Sequence, residues 1–322
     1  MEVKYASESK RLKKPFLKEL RKNKALFLML TPGLLLLLII NYLPMIGTLI
    51  AFKDYKNEGN NFFESFMLSK WVGFNNFKFL LKSPDTFTIT RNTICYNLVF
   101  IVVGTIFAVF LSIGINELRN KRTAKLYQSA MLLPYFLSWV VISFLFFGFL
   151  SVDKGIINKD ILVPLGKKAI EWYSAPKYWP FILVFANLLK YSGYNCIIYL
   201  ASLTGIDEEL YEAAILDGAT KWQQITKITI PLLSSVIIIM TLLAVGRIFN
   251  ADFGLFFNVP MNSGPLFEST NVIDTYVYRG LMNNGDIGMS SAAGLYQSVV
   301  GFILILLANF IVRKIDKEKA LF

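Results

Sequence analysis

Lys190 and Arg247 are cations set within or beside long apolar runs, and that setting limits the chemistry open to them. A cation in the middle of a hydrocarbon layer ~30 Å thick costs several kcal/mol unless it faces water or a partner. Lys190 lies near the middle of its run and is expected to face a cavity. Arg247 lies near the end of another run, where its side chain can also snorkel to the surface. Polar and aromatic residues share their depth: Asn187, Tyr191, Tyr194 and Asn195 around Lys190, Asn250 and Asp252 beyond Arg247, and Trp139 from an earlier run. Flat rings, amides and positive charge together could bind a polar, anionic substrate. Each of these polar and aromatic residues alone more often serves packing or hydrogen bonding between helices.

Other chemistry is excluded by residue type. The sequence has no histidine, which removes imidazole acid–base catalysis, His-ligated metals and Ser-His triads. Cys95 and Cys196 both fall in apolar runs and read as ordinary buried thiols, with no metal or cofactor site implied. A phosphate-binding loop is missing: the nearest string, "VPLGKKA", lacks both the first glycine and the Ser/Thr that would meet magnesium. Ion coupling would usually leave carboxylates inside the apolar runs, and these hold essentially none.

The elements that must position these residues are membrane helices. Of 322 residues 55% are hydrophobic, and the mean hydropathy is +0.51. The apolar residues gather in runs of the length a helix needs to span a bilayer, at about 25–52, 93–115, 127–150, 179–201, 231–250 and 293–312. Residues 1–24 form a basic leading segment, and 25–322 form one six-span domain. The first run is too long for the apolar part of a signal peptide and is expected to bend near Pro32 and Pro44. The fourth is interrupted by Asn187, Lys190, Ser192 and Asn195.

The net charge of +11 lies in clusters beside the runs, which points to membrane orientation and not to nucleic-acid binding. Arg119, Lys121, Arg122 and Lys125, the N-terminal cluster and the tail from Arg313 to Lys319 fall on one side. By the positive-inside rule both termini are cytoplasmic, and so is the segment 205–231. The loops 53–92, 151–178 and 251–292 then face outward. "NVIDTYVYRGL" in the last of these places Val272, Ile273, Tyr276 and Val277 at the spacing of a short helix.

The segment 205–231 is a polar insert between two spans. Asp207 can cap a helix carrying Glu208 and Glu209 in its first turn and running to about Leu216. Gly218 can end or turn it. A second stretch, Ala219 to Ile228, puts Trp222 and Ile225 on one side, and Pro231 suits the first turn of the next span. Two short helices along the membrane surface are expected. Composition alone fits an amphipathic interfacial loop equally well.

The order Glu212-Ala213-Ala214, then Gly218, Ile228 and Pro231, resembles the EAA loop of ABC importer permeases, with Ile230 standing where leucine is usual. The resemblance implies an all-α integral membrane protein with six transmembrane helices, the type I ABC importer permease fold, and a cytoplasmic coupling helix that docks on an ATP-binding subunit. Glu212, Ala213, Ala214 and Gly218 carry over as coupling residues, and Asp217 and Trp222 join the same expected surface. "VGRIFNADFGLF" and "VRKIDKEKALF" extend the resemblance to the maltose-permease-like class for oligosaccharides, nearest to permeases for aldouronate and other uronic-acid-containing oligosaccharides.

That class implies a second homologous permease, two ATP-binding subunits holding ATP and magnesium, an extracellular solute-binding protein, and a place in the bacterial plasma membrane. Two other classes stay open on the residues alone: an ion-coupled secondary transporter acting alone, and a membrane enzyme acting on a lipid-linked sugar.

Overall fold

Apolar runs of membrane length become helices because hydrocarbon offers their backbone groups no partner but one another. The computed structural model describes residues 22–56, 59, 61–78 and 85–321, so most of the basic segment 1–24 lies outside the described residues. Among the described residues five helices are long and apolar enough to cross a membrane: Lys24–Phe52, Thr86–Asn116, Pro176–Leu203, Lys221–Val245 and Ile287–Ile315. A sixth span exists if Lys121–Phe136 and Trp139–Leu150 count as one, although they are bent by 98°.

Residues 1–49 and 50–322 form separate units. In the first, helix α1 (Lys24–Leu37) contains Pro32 without interruption. It then widens into a π-turn at Leu38–Tyr42 and tightens into a 3-10 helix from Leu43. Pro44 has no N–H to give an upstream carbonyl, and the change of helix type falls where that donor is missing.

In the second unit, a two-residue antiparallel ladder, β1 (Lys53–Asp54) with β2 (Lys70–Trp71), pairs Lys53 with Trp71, and α2 (Phe62–Leu68) lies in the connection between the two strands. The long helix α3 (Thr86–Asn116) follows. The expected continuous span at 127–150 is instead two helices, α4 (Lys121–Phe136) and α5 (Trp139–Leu150). Leu137 and Ser138 between them are extended. Pro134 weakens the last turn of α4, and Ser138 Oγ accepts from Val141 N at 3.3 Å to start α5 afresh.

The polar residues of the fourth run do not break α6 (Trp179–Leu203). Gly193 on α6 lies against the backbone of α4, where a β-carbon would overlap the Met131 carbonyl. Small residues permit such approach between membrane helices.

After α7 (Glu208–Leu216) the chain does not form a second separate surface helix. It runs from α8 (Lys221–Gln224) through a π-turn at Ile225–Thr229 into α9 (Ile230–Val245), one helix of 25 residues. The wider turn lies just ahead of Pro231, whose missing N–H needs no bond there. Helix α9 ends at Val245, so Gly246 to Asn250 lie in turns beyond it.

Three short helices follow, α10 (Phe253–Asn258), α11 (Phe267–Thr270) and α12 (Ile273–Asn284), and then α13 (Ile287–Ile315). The helix expected from the spacing of that stretch is α12, and Val272 at its cap and Ile273 at its start are fully buried. The main core gathers Tyr96, Trp139, Phe146, Trp179, Leu183 and Phe256, where α3, α5 and α6 meet the segment after α9.

The α4–α6 contact generates a prediction. Gly193→Leu should destabilise the protein by about 2 kcal/mol or more, because a backbone carbonyl cannot yield as a side chain would. Gly193→Ala should cost less. Thermal unfolding in detergent reads both.

Candidate functional site

The break between α4 and α5 leaves the last carbonyls of α4 without helical partners. Lys190 of α6 supplies donors. Its Nζ donates to the Tyr135 carbonyl at 3.1 Å and to the Leu137 carbonyl. The ammonium also sits over the Trp139 ring, 5.1 Å from its centroid, and 6.0 Å from that of Tyr135. A cation at a helix C-terminus is favoured by the helix dipole, and ring faces add to that. Lys190 is only 7% exposed, so its charge is spent on the break and not on an open cavity.

Asp252 ties the same region to the segment after α9. One carboxylate oxygen, Oδ2, accepts from Trp139 Nε1 at 2.8 Å and from the Tyr191 hydroxyl at 2.6 Å. The other, Oδ1, accepts from Leu255 N at 3.2 Å and caps α10. Gly254 packs on the Trp139 indole where a β-carbon would overlap the ring. Tyr194 stacks on Tyr135 with ring centroids 4.6 Å apart. Lys190, Tyr191, Trp139 and Asp252 therefore form one cluster, with Tyr194 joined to it through Tyr135.

The remaining sugar-site candidates stand apart from it. Asn187 is buried on α6 one turn before Tyr191, and Asn195 is half-buried one turn after. Arg247 and Asn250 are exposed in the turns beyond α9, and Arg247 has no side-chain partner among the described residues.

Sequence reasoning missed the residues that hold this turn. Asn97 of α3 donates to the carbonyls of Ile248 at 2.9 Å and Asn250 at 3.2 Å. Gln297 of α13 donates to the Phe249 carbonyl at 2.7 Å and to Asp274 at 3.1 Å, and Asp274 accepts from Ala251 N at 2.8 Å. Burial raises the pKa of Asp274, and the bonds from Ala251 and Gln297 oppose the shift. Asn97 and Gln297 had a signal, since a polar amide inside an apolar run needs a partner. Cys95 was also misjudged: it is exposed on α3, and only Cys196 is buried.

The segment between α6 and α9 builds a second site. Asp207 Oδ1 accepts from Glu209 N at 3.0 Å and caps α7. Gly218 ends the helix in the left-handed region at φ 76°, and Ala219 N bonds back to Ala214 O at 2.9 Å. Thr220 and Gln223 form a capping box that starts α8. The Tyr211 and Thr229 hydroxyls meet at 3.0 Å and join α7 to the π-turn. Lys221 pairs with Glu117, just past the end of α3, at 3.0 Å.

The outward face of this element is apolar at its bend. Leu216 is 88% and Trp222 72% exposed, with Leu210 and Ile215 beside them. Glu212, Ala213, Asp217 and Gly218 are exposed on the same element, and Ala214 is half-exposed. Large apolar residues exposed beside charged ones, outside the apolar spans, suit a surface for a partner.

A family described as "binding-protein-dependent transport system inner membrane component" matches residues 100–317. Protein LplB of Bacillus subtilis is 37% identical over 300 residues, covering 93% of this chain and 92% of that protein. The B. subtilis polygalacturonan/rhamnogalacturonan transport system permease protein YteP is 32% identical, covering 96% of this chain and 94% of that protein. A chain from the crystal structure of a bacterial ABC transporter for import of the acidic polysaccharide alginate superposes with a TM-score of 0.82 at 30% identity, covering 93% of this chain and 99% of that one. The alginate transporter in complex with its alginate pentasaccharide-bound periplasmic protein gives a TM-score of 0.83 at 30% identity, covering 94% and 99%.

The Lys190 cluster predicts the outcome of a substitution. Lys190→Met would strand the carbonyls of Tyr135 and Leu137 and cost about 1–3 kcal/mol. Lys190→Arg should recover part of that, because guanidinium still donates to carbonyls. The two unfolding temperatures should fall in that order.

Proposed function

The chain belongs to the binding-protein-dependent transport system inner membrane components, and from that membership we propose that it is the permease subunit of an ATP-driven ABC importer for carboxylate-bearing oligosaccharides. The α7–α8 element carries the reading. It is capped at both starts, turned at one glycine, and exposes Leu216 and Trp222 to a partner. It is non-catalytic itself: the sequence has no phosphate-binding loop, and ATP and magnesium belong to two partner ATPase subunits. A second homologous permease and an extracellular solute-binding protein complete the assembly.

Closure of the ATPase dimer on ATP would draw the docked elements together. Helix α8 continues into α9 without a joint, so movement at the dock becomes movement of a membrane span. Two states biased by differential binding are enough for alternating access. The basic clusters support an orientation with both termini and the α7–α8 element in the cytoplasm.

Acidic substrate is supported by the relatives whose names or titles give polygalacturonan, rhamnogalacturonan and alginate. Among the candidate sugar residues, a charge available for a carboxylate is Arg247, exposed and unpaired among the described residues, with Asn250 nearby. Tyr194 offers a ring face, and Asn187 and Asn195 offer amides on α6. Lys190, Trp139, Tyr191 and Asp252 hold the frame behind them.

Coupling is tested in the reconstituted complex by substrate-stimulated ATPase activity. Gly218 has open space around its α-carbon, so the left-handed φ is its only constraint. Gly218→Val should therefore uncouple the complex, whereas Gly218→Asn, which tolerates that conformation, should retain most activity. Trp222→Ala should weaken docking of the ATPase on the order of 10-fold or more. Affinity for the solute-binding protein should be unchanged in all three. Normal stimulation in Gly218→Val and Trp222→Ala would contradict the docking role.

A further inference from the structure

At the opposite end of α6 from the α7–α8 element is a groove that transport as proposed does not use. Helices α3 and α6 run in the same direction and line it together. Arg91, Cys95 and Val99 fall on successive turns of α3. Lys177 precedes α6, and Pro180 and Val184 follow on its successive turns. The cavity between them is about 440 Å³. From Arg91 to Val99 its wall descends ~12 Å along α3 and changes from charged to apolar.

Among the described residues the charges at the mouth are not paired with opposite charges. There the Arg91 guanidinium bonds only neutral groups, Asn92 Oδ1 at 3.1 Å and the Glu268 carbonyl at 3.4 Å. Lys177 lies 4.8 Å from the Tyr178 ring and makes no ion pair among the described residues. The Glu268 carboxylate lies at the same mouth, so two positive charges and one negative leave +1. Phe87, 74% exposed, stands beside Arg91, the kind of ring found where membrane meets water.

A cationic mouth over an apolar slot running down two membrane-length helices matches one class of molecule in both charge and shape. We propose that this groove binds an anionic phospholipid. The monoanionic phosphodiester sits between Arg91 and Lys177, and an acyl chain lies along Cys95, Val99, Pro180 and Val184. The net +1 complements that single negative charge. A zwitterionic phospholipid brings its own cation and gains less.

The test uses the purified full chain in detergent, titrated with phosphatidylglycerol or phosphatidylcholine of identical acyl chains and read by native mass spectrometry. Phosphatidylglycerol should be retained preferentially. Replacing Arg91→Gln together with Lys177→Gln should weaken its retention ~20-fold, as expected for two basic residues at an anionic lipid surface. Replacing Lys167→Gln with Lys168→Gln, an equal change of net charge at exposed sites, should not.

A second readout needs no variant. Cys95 is exposed in the groove and Cys196 is buried, so maleimide labelling reports on Cys95. Phosphatidylglycerol should slow that labelling, and phosphatidylcholine should slow it much less. Equal retention of the two lipids, equal loss in the control variant, or labelling indifferent to phosphatidylglycerol would each overturn the proposal. So would protection of Cys95 in the assembled transporter that does not depend on lipid, which would assign the groove to a protein partner.

Discussion

A polypeptide in hydrocarbon must satisfy its own backbone polar groups, and this chain interrupts a helix within one of its apolar runs. The interruption at Leu137 and Ser138 turns α4 from α5 by 98° and leaves carbonyls facing inward. The ammonium of Lys190 meets those carbonyls from α6. Gly193, one turn along, lets α6 come close enough to α4 for this to happen. An unpartnered lysine there, or an unpartnered set of carbonyls, would each be costly, and each resolves the other.

The cluster extends from the break toward the segment after α9. Trp139 begins α5, covers the Lys190 ammonium and donates to Asp252. Asp252 caps α10 and receives Tyr191 from α6. Asn97, Asp274 and Gln297 hold the turn just before Asp252 from three other helices. The result is a network in which α3, α5, α6, α12 and α13 all bear on one short stretch. The far end of the bundle is simpler: α7 is capped, turned by Gly218, and followed by a helix that does not stop at the membrane. A rigid lever at one end and a polar network at the other suit a protein that rocks between two states.

Much of this was legible in the residues. The apolar runs gave the helices because length and hydropathy are local properties, and Asp207 and Gly218 gave the bounds of α7 because caps are local too. Averaged hydropathy ran straight through the α4–α5 break, although Pro134 and Ser138 mark it. The continuity of α8 with α9 was hidden by Pro231, which reads as a fresh start unless a π-turn precedes it. The partners that Lys190 and Asp252 meet in the fold were not legible, because they lie over 50 residues away in sequence, at 135–137 for the first and at 139 and 191 for the second. Such pairings depend on how helices register against each other. No local pattern encodes that.

As proposed, this chain is a passive conduit driven by a partner through the α7–α8 element. Uptake of a labelled uronate-containing oligosaccharide into proteoliposomes tests that most directly. Vesicles holding the complete complex should accumulate it only when ATP is supplied on the ATPase side, and vesicles holding this chain alone should not accumulate it under any proton or sodium gradient. Gradient-driven accumulation by the chain alone would contradict the account.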